Sequence, residues 1–193
     1  MSENSIAVAF VDYDNAIVGP ERTRIDAEVL LDEILESLSS RVRSLIQSAD
    51  ELLVRLYGGW TDKTGRATTR ADWLTSLIPE LRGRRNGLRV KPELITELAG
   101  DSNYRLRGTH RPDVDNKQKM VDAMLSFDVN FFAENYRYPL AVLTDDDDAV
   151  PALILGAVSR QQGKSGIWLL RRKKDDAPND AYLGQRGVVI GSC

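Results

Sequence analysis

One cysteine, one histidine and no apolar run long enough to cross a bilayer set the first limits on this 193-residue chain. With Cys193 alone, neither an intramolecular disulfide framework nor a cysteine-based zinc cluster can form. The longest apolar stretch, residues 149–158, is roughly half of the ~20 residues a transmembrane helix needs. The opening residues MSENSIAVAF start acidic and lack a small-residue cleavage site behind a long apolar core, so no secretory signal is visible. These absences lead to the expectation of a cytoplasmic protein with no membrane partner. A strong charge excess is missing too: the net charge of −3 does not by itself announce a nucleic-acid binder. No repeat, low-complexity tract or linker interrupts the chain, whose length suits one domain over 1–193. It stops soon after a last apolar segment at 188–190, as a piece of a longer protein would. Nothing here speaks against a homo-oligomer.

The charges that are present are unevenly spread. Aspartates crowd at 12–14 and 145–148. Basic residues gather at Arg82, Arg84, Arg85, Arg89 and Lys91, again at Arg105, Arg107, Arg111, Lys117 and Lys119, and over 171–174. An acidic pocket with basic surroundings suits a polyanion handled by bound metal. Taken singly, each cluster is equally compatible with a solvated face.

Apolar patterning alternates between two periods. Residues 6–12, IAVAFVD, form a nearly continuous apolar run, as a strand covered on both faces requires. A helix is expected over 26–47, a strand over 51–60, a helix over 69–81 and a strand over 88–95, where Pro92 argues for an edge or a bend. Residues 104–107 add a short strand, and a helix runs from Val114 to Glu134 with Asp113 or Asp115 as its cap. A strand at 139–144, a helix at 148–160 and strands at 167–171 and 188–190 complete the set. Such alternation predicts an α/β fold: a three-layer α/β/α sandwich around a mostly parallel, Rossmann-like sheet.

In an open parallel sheet, ligands bind beyond the carboxyl ends of the strands. Asp12 ends the first predicted strand and Asp145–Asp148 follow the strand at 139–144, which puts both acidic groups at one edge. Adjacent aspartates repel one another unless solvent or cations offset the repulsion. All-oxygen donors without His or Cys select Mg²⁺ or Mn²⁺. Some of the four could equally cap the following helix, whose N-terminus favours negative charge. At about 100° per residue, Asp122 lies at the border of an apolar stripe through Val121, Leu125 and Phe132, with Lys119 beside it. Asp128 falls inside the stripe, where a carboxylate needs a partner; a supporting, structural role suits it better than ligation.

At these residues the chain resembles the NYN domain family, a branch of the PIN-like ribonucleases. Asp12 and Asn15 in VDYDN match its first block, Lys119, Asp122 and Asp128 in KMVDAMLSFD its second, and Thr144, Asp146, Asp148 and Pro151 in TDDDDAVP its third. RLYGGW at 55–60 is similar to its second strand, and together the blocks span residues 6–171. Two positions depart from the pattern: Asp145 replaces a usual Gly and Ala149 a usual aromatic. The resemblance implies metal-dependent hydrolysis of RNA phosphodiester bonds, with Asp12, Asp122, Asp146 and Asp148 as metal ligands and catalytic groups. It also implies that Asn15, Lys119, Arg107 and Arg111 contact the RNA, with Asp128 and Thr144 in support. His110, the single histidine, is a weaker candidate for acid–base work.

Two rival readings remain. The D-x-D of FVDYDN after a buried strand is that of a HAD-type phosphatase, with Asp12 as nucleophile and Asp14 as general acid. Against it, the next residues are Asn-Ala-Ile, and Lys119 and Asp122 would have no role. A non-catalytic RNA- or partner-binding module, using Trp60, Trp73 and Trp168 as exposed anchors, is the other.

Overall fold

The computed structural model describes residues 5–17, 20–62, 64, 66–100, 109–110, 118–160, 166–172 and 179–193, with backbone alone at 109–110 and 118–119. The apolar run at the start is strand β1 (Ile6–Asp12), followed by a one-turn helix α1 (Tyr13–Ala16). Helix α2 (Arg24–Leu45) begins two residues before the expected start, because Thr23 and Asp26 form a reciprocal cap. Asp26 N donates to Thr23 Oγ1 at 3.1 Å and Thr23 N donates to Asp26 Oδ2 at 2.9 Å.

Strand β2 (Glu51–Tyr57) stops three residues short of the expected end. The chain turns at Gly58–Gly59, so that Trp60 folds back and donates from Nε1 to the Leu56 carbonyl at 3.2 Å. Helix α3 (Thr69–Leu81) is capped by Thr68. A short strand β3 (Gly83–Arg85), absent from the sequence reading, pairs antiparallel with β4 (Leu88–Leu94). Asn86 (φ 50°) and Gly87 (φ 79°) make the left-handed two-residue turn between them, a conformation that favours this pair of residues. Because β3 pairs only with Leu88–Val90, Pro92 lies where β4 has no second neighbour and its missing N–H is not needed.

The expected helix from Val114 is corrected. Strand β6 (Gln118–Lys119), paired antiparallel with β5 (Thr109–His110), lies within its expected span, and helix α4 (Val121–Asn135) starts only after Met120. Met120 has φ 70°, a left-handed conformation through which a right-handed helix cannot run. The expected strand at 104–107 and the caps Asp113 and Asp115 lie outside the described residues. Strand β7 (Leu140–Leu143), a 3₁₀ turn at Asp147–Ala149, helix α5 (Val150–Arg160), strand β8 (Ile167–Arg171), an unexpected helix α6 (Asp180–Gln185) and strand β9 (Val188–Ser192) follow.

The main sheet has seven strands in the order β3-β4-β2-β1-β7-β8-β9, all parallel except β3. It is an α/β, three-layer, Rossmann-like sandwich. One face packs Val11, Leu56 and Leu143 against Leu31, Leu38 and Leu74 of α2 and α3. The other packs Phe10, Tyr57 and Val142 against Leu125 and Val129 of α4 and Leu153 of α5. Trp60 is buried, and Trp73 and Trp168 pack on the α2 face, so the three tryptophans belong to the core and are not exposed anchors. Among the described residues, no helix is long and apolar enough to cross a membrane.

Candidate metal centre

The order of strands creates the site. From β1 the chain moves outward through β2 and β4, then returns to the other side of β1 with β7. At such a reversal the connections diverge and leave a crevice at the carboxyl ends of the strands. β1 and β7 are hydrogen-bonded neighbours, with Val11 opposite Leu143, so the next residues Asp12 and Thr144 emerge side by side. Thr144 Oγ1 donates to Asp12 Oδ2 at 3.1 Å across 132 positions of sequence.

Asp12 shares the face of Val8 and Phe10, toward α4, and is only 4% exposed. Its Oδ2 also accepts a hydrogen bond from Asn15 Nδ2, one turn on in α1. Burial pushes its carboxyl up to about 6; those two hydrogen bonds oppose the rise, while the charges of Asp122 and Asp14 add to it. Among the described residues Oδ1 accepts no hydrogen bond.

Facing it, Asp122, Asp146 and Asp148 bring one carboxylate oxygen each to within 4.8 Å of one another. Asp122 stands in the first turn of α4, where the helix end favours negative charge. Its carboxyl is raised by burial first and then by the charges of Asp146 and Asp148. Asp12, expected as a fourth member, is not among the three carboxylates that converge within 4.8 Å; its Oδ2 is tied to Thr144 and Asn15, and the charge of Asp122 reaches it.

The four-aspartate run is sorted by its local conformation. Asp146 N donates to Thr144 Oγ1 at 3.0 Å, and Asp148 N donates to Asp146 Oδ1 at 2.9 Å, closing a tight turn. Asp146 and Asp148 thereby point to Asp122. Their alternates turn away: Asp145 Oδ1 accepts from Arg172 N at 2.9 Å, and Asp147 binds Arg171 Nη2 at 2.7 Å and Asn179 Nδ2 at 2.9 Å. The Arg171 guanidinium beside Asp147 holds that carboxyl below the usual range. Arg171, counted above within a basic cluster, is 5% exposed and spent on Asp147 and Asp180. Arg85, Arg89 and Lys91 likewise face carboxylates of Asp32, Glu36 and Glu51.

Asp128 lies two turns along α4 from Asp122 and is fully buried. Arg55 Nη2 donates to its Oδ2 at 2.7 Å, Tyr57 Oη to the same oxygen at 2.6 Å, and Ala99 N to its Oδ1 at 2.8 Å. Sequence reasoning missed Arg55 and Tyr57. The signal was a lone arginine in an otherwise apolar strand, two residues from a tyrosine on the same face, which calls for a buried acid opposite. It also missed Arg70, which pairs with Asp14 and lies over the rings of Tyr13 and Trp60 at 5.7 and 5.5 Å. Asp14 is therefore engaged by a cation, where an aspartyl phosphatase would need it as a general acid. Lys119 stands in β6 rather than on α4; its side chain and that of His110, with Arg107 and Arg111 entire, lie outside the described residues.

Asp12 supplies a pH prediction. Its carboxyl titrates near 6 in the fold and near 3.9 in an unfolded chain, so the folded state binds this proton more tightly. The corresponding stabilisation is complete below about pH 4 and is lost as pH rises through 6. In EDTA, Asp12→Asn is expected to remove that loss and stabilise the protein at pH 8 by on the order of 3 kcal/mol relative to wild type, with little gain at pH 4. Urea midpoints at the two pH values measure this; equal shifts at both would exclude the assignment.

The chain matches no protein-family model and no curated protein. Among solved structures it is similar to Plasmodium falciparum nicotinic acid mononucleotide adenylyltransferase complexed with NaAD. The TM-score is 0.44 at 10% identity, over 99% of this chain and 76% of that one. A likeness that loose says nothing of this chain's activity.

Proposed function

We propose that the protein is a metal-dependent phosphodiester hydrolase, a ribonuclease of the NYN/PIN-like kind acting on RNA with Mg²⁺ or Mn²⁺. The observation that carries this reading is the convergence of Asp122, Asp146 and Asp148 at the strand-order reversal. The donor set fits a hard divalent cation: three carboxylates from two separate elements, partly open to solvent, whose mutual repulsion such an ion relieves. A cation bound there would acidify a water and offset charge on a phosphoryl group.

The chain's own residues supply the rest. In this reading Asp12 Oδ1, which accepts no hydrogen bond among the described residues, takes the proton from a water. Thr144 and Asn15 fix the orientation of Asp12 through its other oxygen. RNA as the substrate rests on the family resemblance, as do phosphate contacts from Lys119, Arg107 and Arg111.

Labelled single-stranded RNA and DNA, each with Mn²⁺, Mg²⁺ or EDTA, test the reading. Cleavage of RNA in both metals and none in EDTA is the expected pattern; undiminished cleavage in EDTA removes the metal mechanism. Binding is checked separately by thermal unfolding. Mn²⁺ at about 100 times its Kd is expected to stabilise the native state by about 2.7 kcal/mol. A melting temperature unmoved by saturating Mn²⁺ would mean that the three carboxylates do not act as one site.

A further inference from the structure

At the same edge of the sheet, on the α2 face, two arginines converge with no carboxylate paired to either guanidinium among the described residues. β8 and β9 pair in register with Arg171 opposite Ser192, and Cys193 N donates to the Arg171 carbonyl at 2.8 Å, which sets Arg172 alongside Cys193. Arg41 reaches over from α2: a Cβ at Gly191 would lie 2.6 Å from its Nη2, so the guanidinium rests directly on the β9 backbone. Between them, Ser37 Oγ and Cys193 Sγ are 3.2 Å apart. The Nε atoms of Arg41 and Arg172 are buried and have no hydrogen-bond partner, and among the described residues neither arginine pairs with a carboxylate. Arg55, Arg70, Arg85 and Arg171 each face at least one carboxylate, and Arg160 donates to the carbonyls of Phe132, Tyr136 and Tyr138.

Two cations left together with unsatisfied buried donors are costly unless an anion joins them. We propose that Arg41 and Arg172, with the Ser37 hydroxyl, form a binding site for a phosphoryl oxyanion. Guanidinium forks match the geometry of phosphate oxygens and bind them in pairs. The site is coupled to the aspartates through one residue, since Arg172 N is held by Asp145, the neighbour of Asp146. A polymer crossing the carboxyl edge from α4 toward α2 would thus place one phosphate at the aspartates and a later one at the arginines. That polymer form of the proposal rests on the phosphodiester reading of the aspartate site; the oxyanion site itself does not.

Cys193 is the only cysteine of the chain, so its alkylation by iodoacetamide reports on this place alone. Both guanidinium charges favour its thiolate against the effect of burial. A bound oxyanion neutralises them and covers the sulfur. In EDTA, a saturating single-stranded oligoribonucleotide is expected to slow alkylation about threefold or more, through loss of thiolate and of access. Millimolar inorganic phosphate doing the same at equal ionic strength assigns the site to any phosphoryl group, and protection by the oligonucleotide alone assigns it to the polymer. Arg41→Gln with Arg172→Gln is expected to abolish protection, read as the ratio of rates with and without the probe. Gly191→Ala, which displaces the Arg41 guanidinium without changing charge, is expected to weaken it. No protection by either probe, as when an acid of the chain itself already occupies the arginines, overturns the proposal, and so does protection undiminished in the double variant. RNA cleavage without protection sinks this site and spares the nuclease reading; protection without cleavage does the reverse.

Discussion

Asp128→Ala is expected to destabilise the fold by about 3–5 kcal/mol, the range for breaking one side of a buried charge pair. Three donors lose their acceptor at once: the Arg55 guanidinium, the Tyr57 hydroxyl and the Ala99 amide. The Arg55 side chain is 13% exposed, and its remaining carboxylate, Glu93, is 47% exposed and so a weaker, water-screened partner. Tyr57 is buried beside Phe10, where water cannot replace the lost bond. Asp128→Asn keeps an acceptor in place and is expected to lose less. Removing both ends of the pair, as in Arg55→Leu with Asp128→Leu, is expected to recover part of the loss, because no uncompensated charge is left behind. Chemical unfolding of the three variants measures the series. A loss under about 1 kcal/mol for Asp128→Ala would mean that water reaches the network.

Asp146→Asn is expected to lower RNA cleavage by more than about 100-fold, the upper end of what loss of an outer-shell partner of a metal causes. The substitution is selective because Asp146 does two things through different properties. Its Oδ1 accepts from Asp148 N and closes the turn, which an asparagine oxygen also does. Its charge contributes to the three-carboxylate group and raises the Asp122 carboxyl, which asparagine does not. Without metal, the variant is therefore expected to melt at or above the wild-type temperature, since a repulsion has gone. The increase in melting temperature with Mn²⁺ should shrink or vanish. Cleavage by the variant at the wild-type rate would sink the proposed role of Asp146, whatever its thermal behaviour.

Element type was legible wherever the apolar pattern was long: β1, β2, β7 and β8 are runs too apolar to be anything but covered strands, and α2, α3 and α5 carry clear stripes. Short elements such as β3 and α6 escaped because a few residues hold no period. The start of α4 escaped because a left-handed Met120 leaves no mark in the side-chain pattern. At the site, Asp12 and the run 145–148 were legible from their places at strand ends. Which of the four aspartates face inward was not, since that depends on the turn closed by Thr144 and Asp146.

Alternating apolar periods thus suffice to dictate a parallel α/β sheet and the edge at which its acids gather, because strand and helix burial are local properties of the pattern. Pairings across the fold are not. Asp12 with Thr144, Asp128 with Arg55 and Tyr57, and Arg41 beside Arg172 join residues far apart in the chain. They exist only once the sheet order 3-4-2-1-7-8-9 has closed. The tertiary structure alone decided which of the aspartates converge, and that Arg85, Arg89, Lys91 and Arg171 are already spent on neighbouring acids.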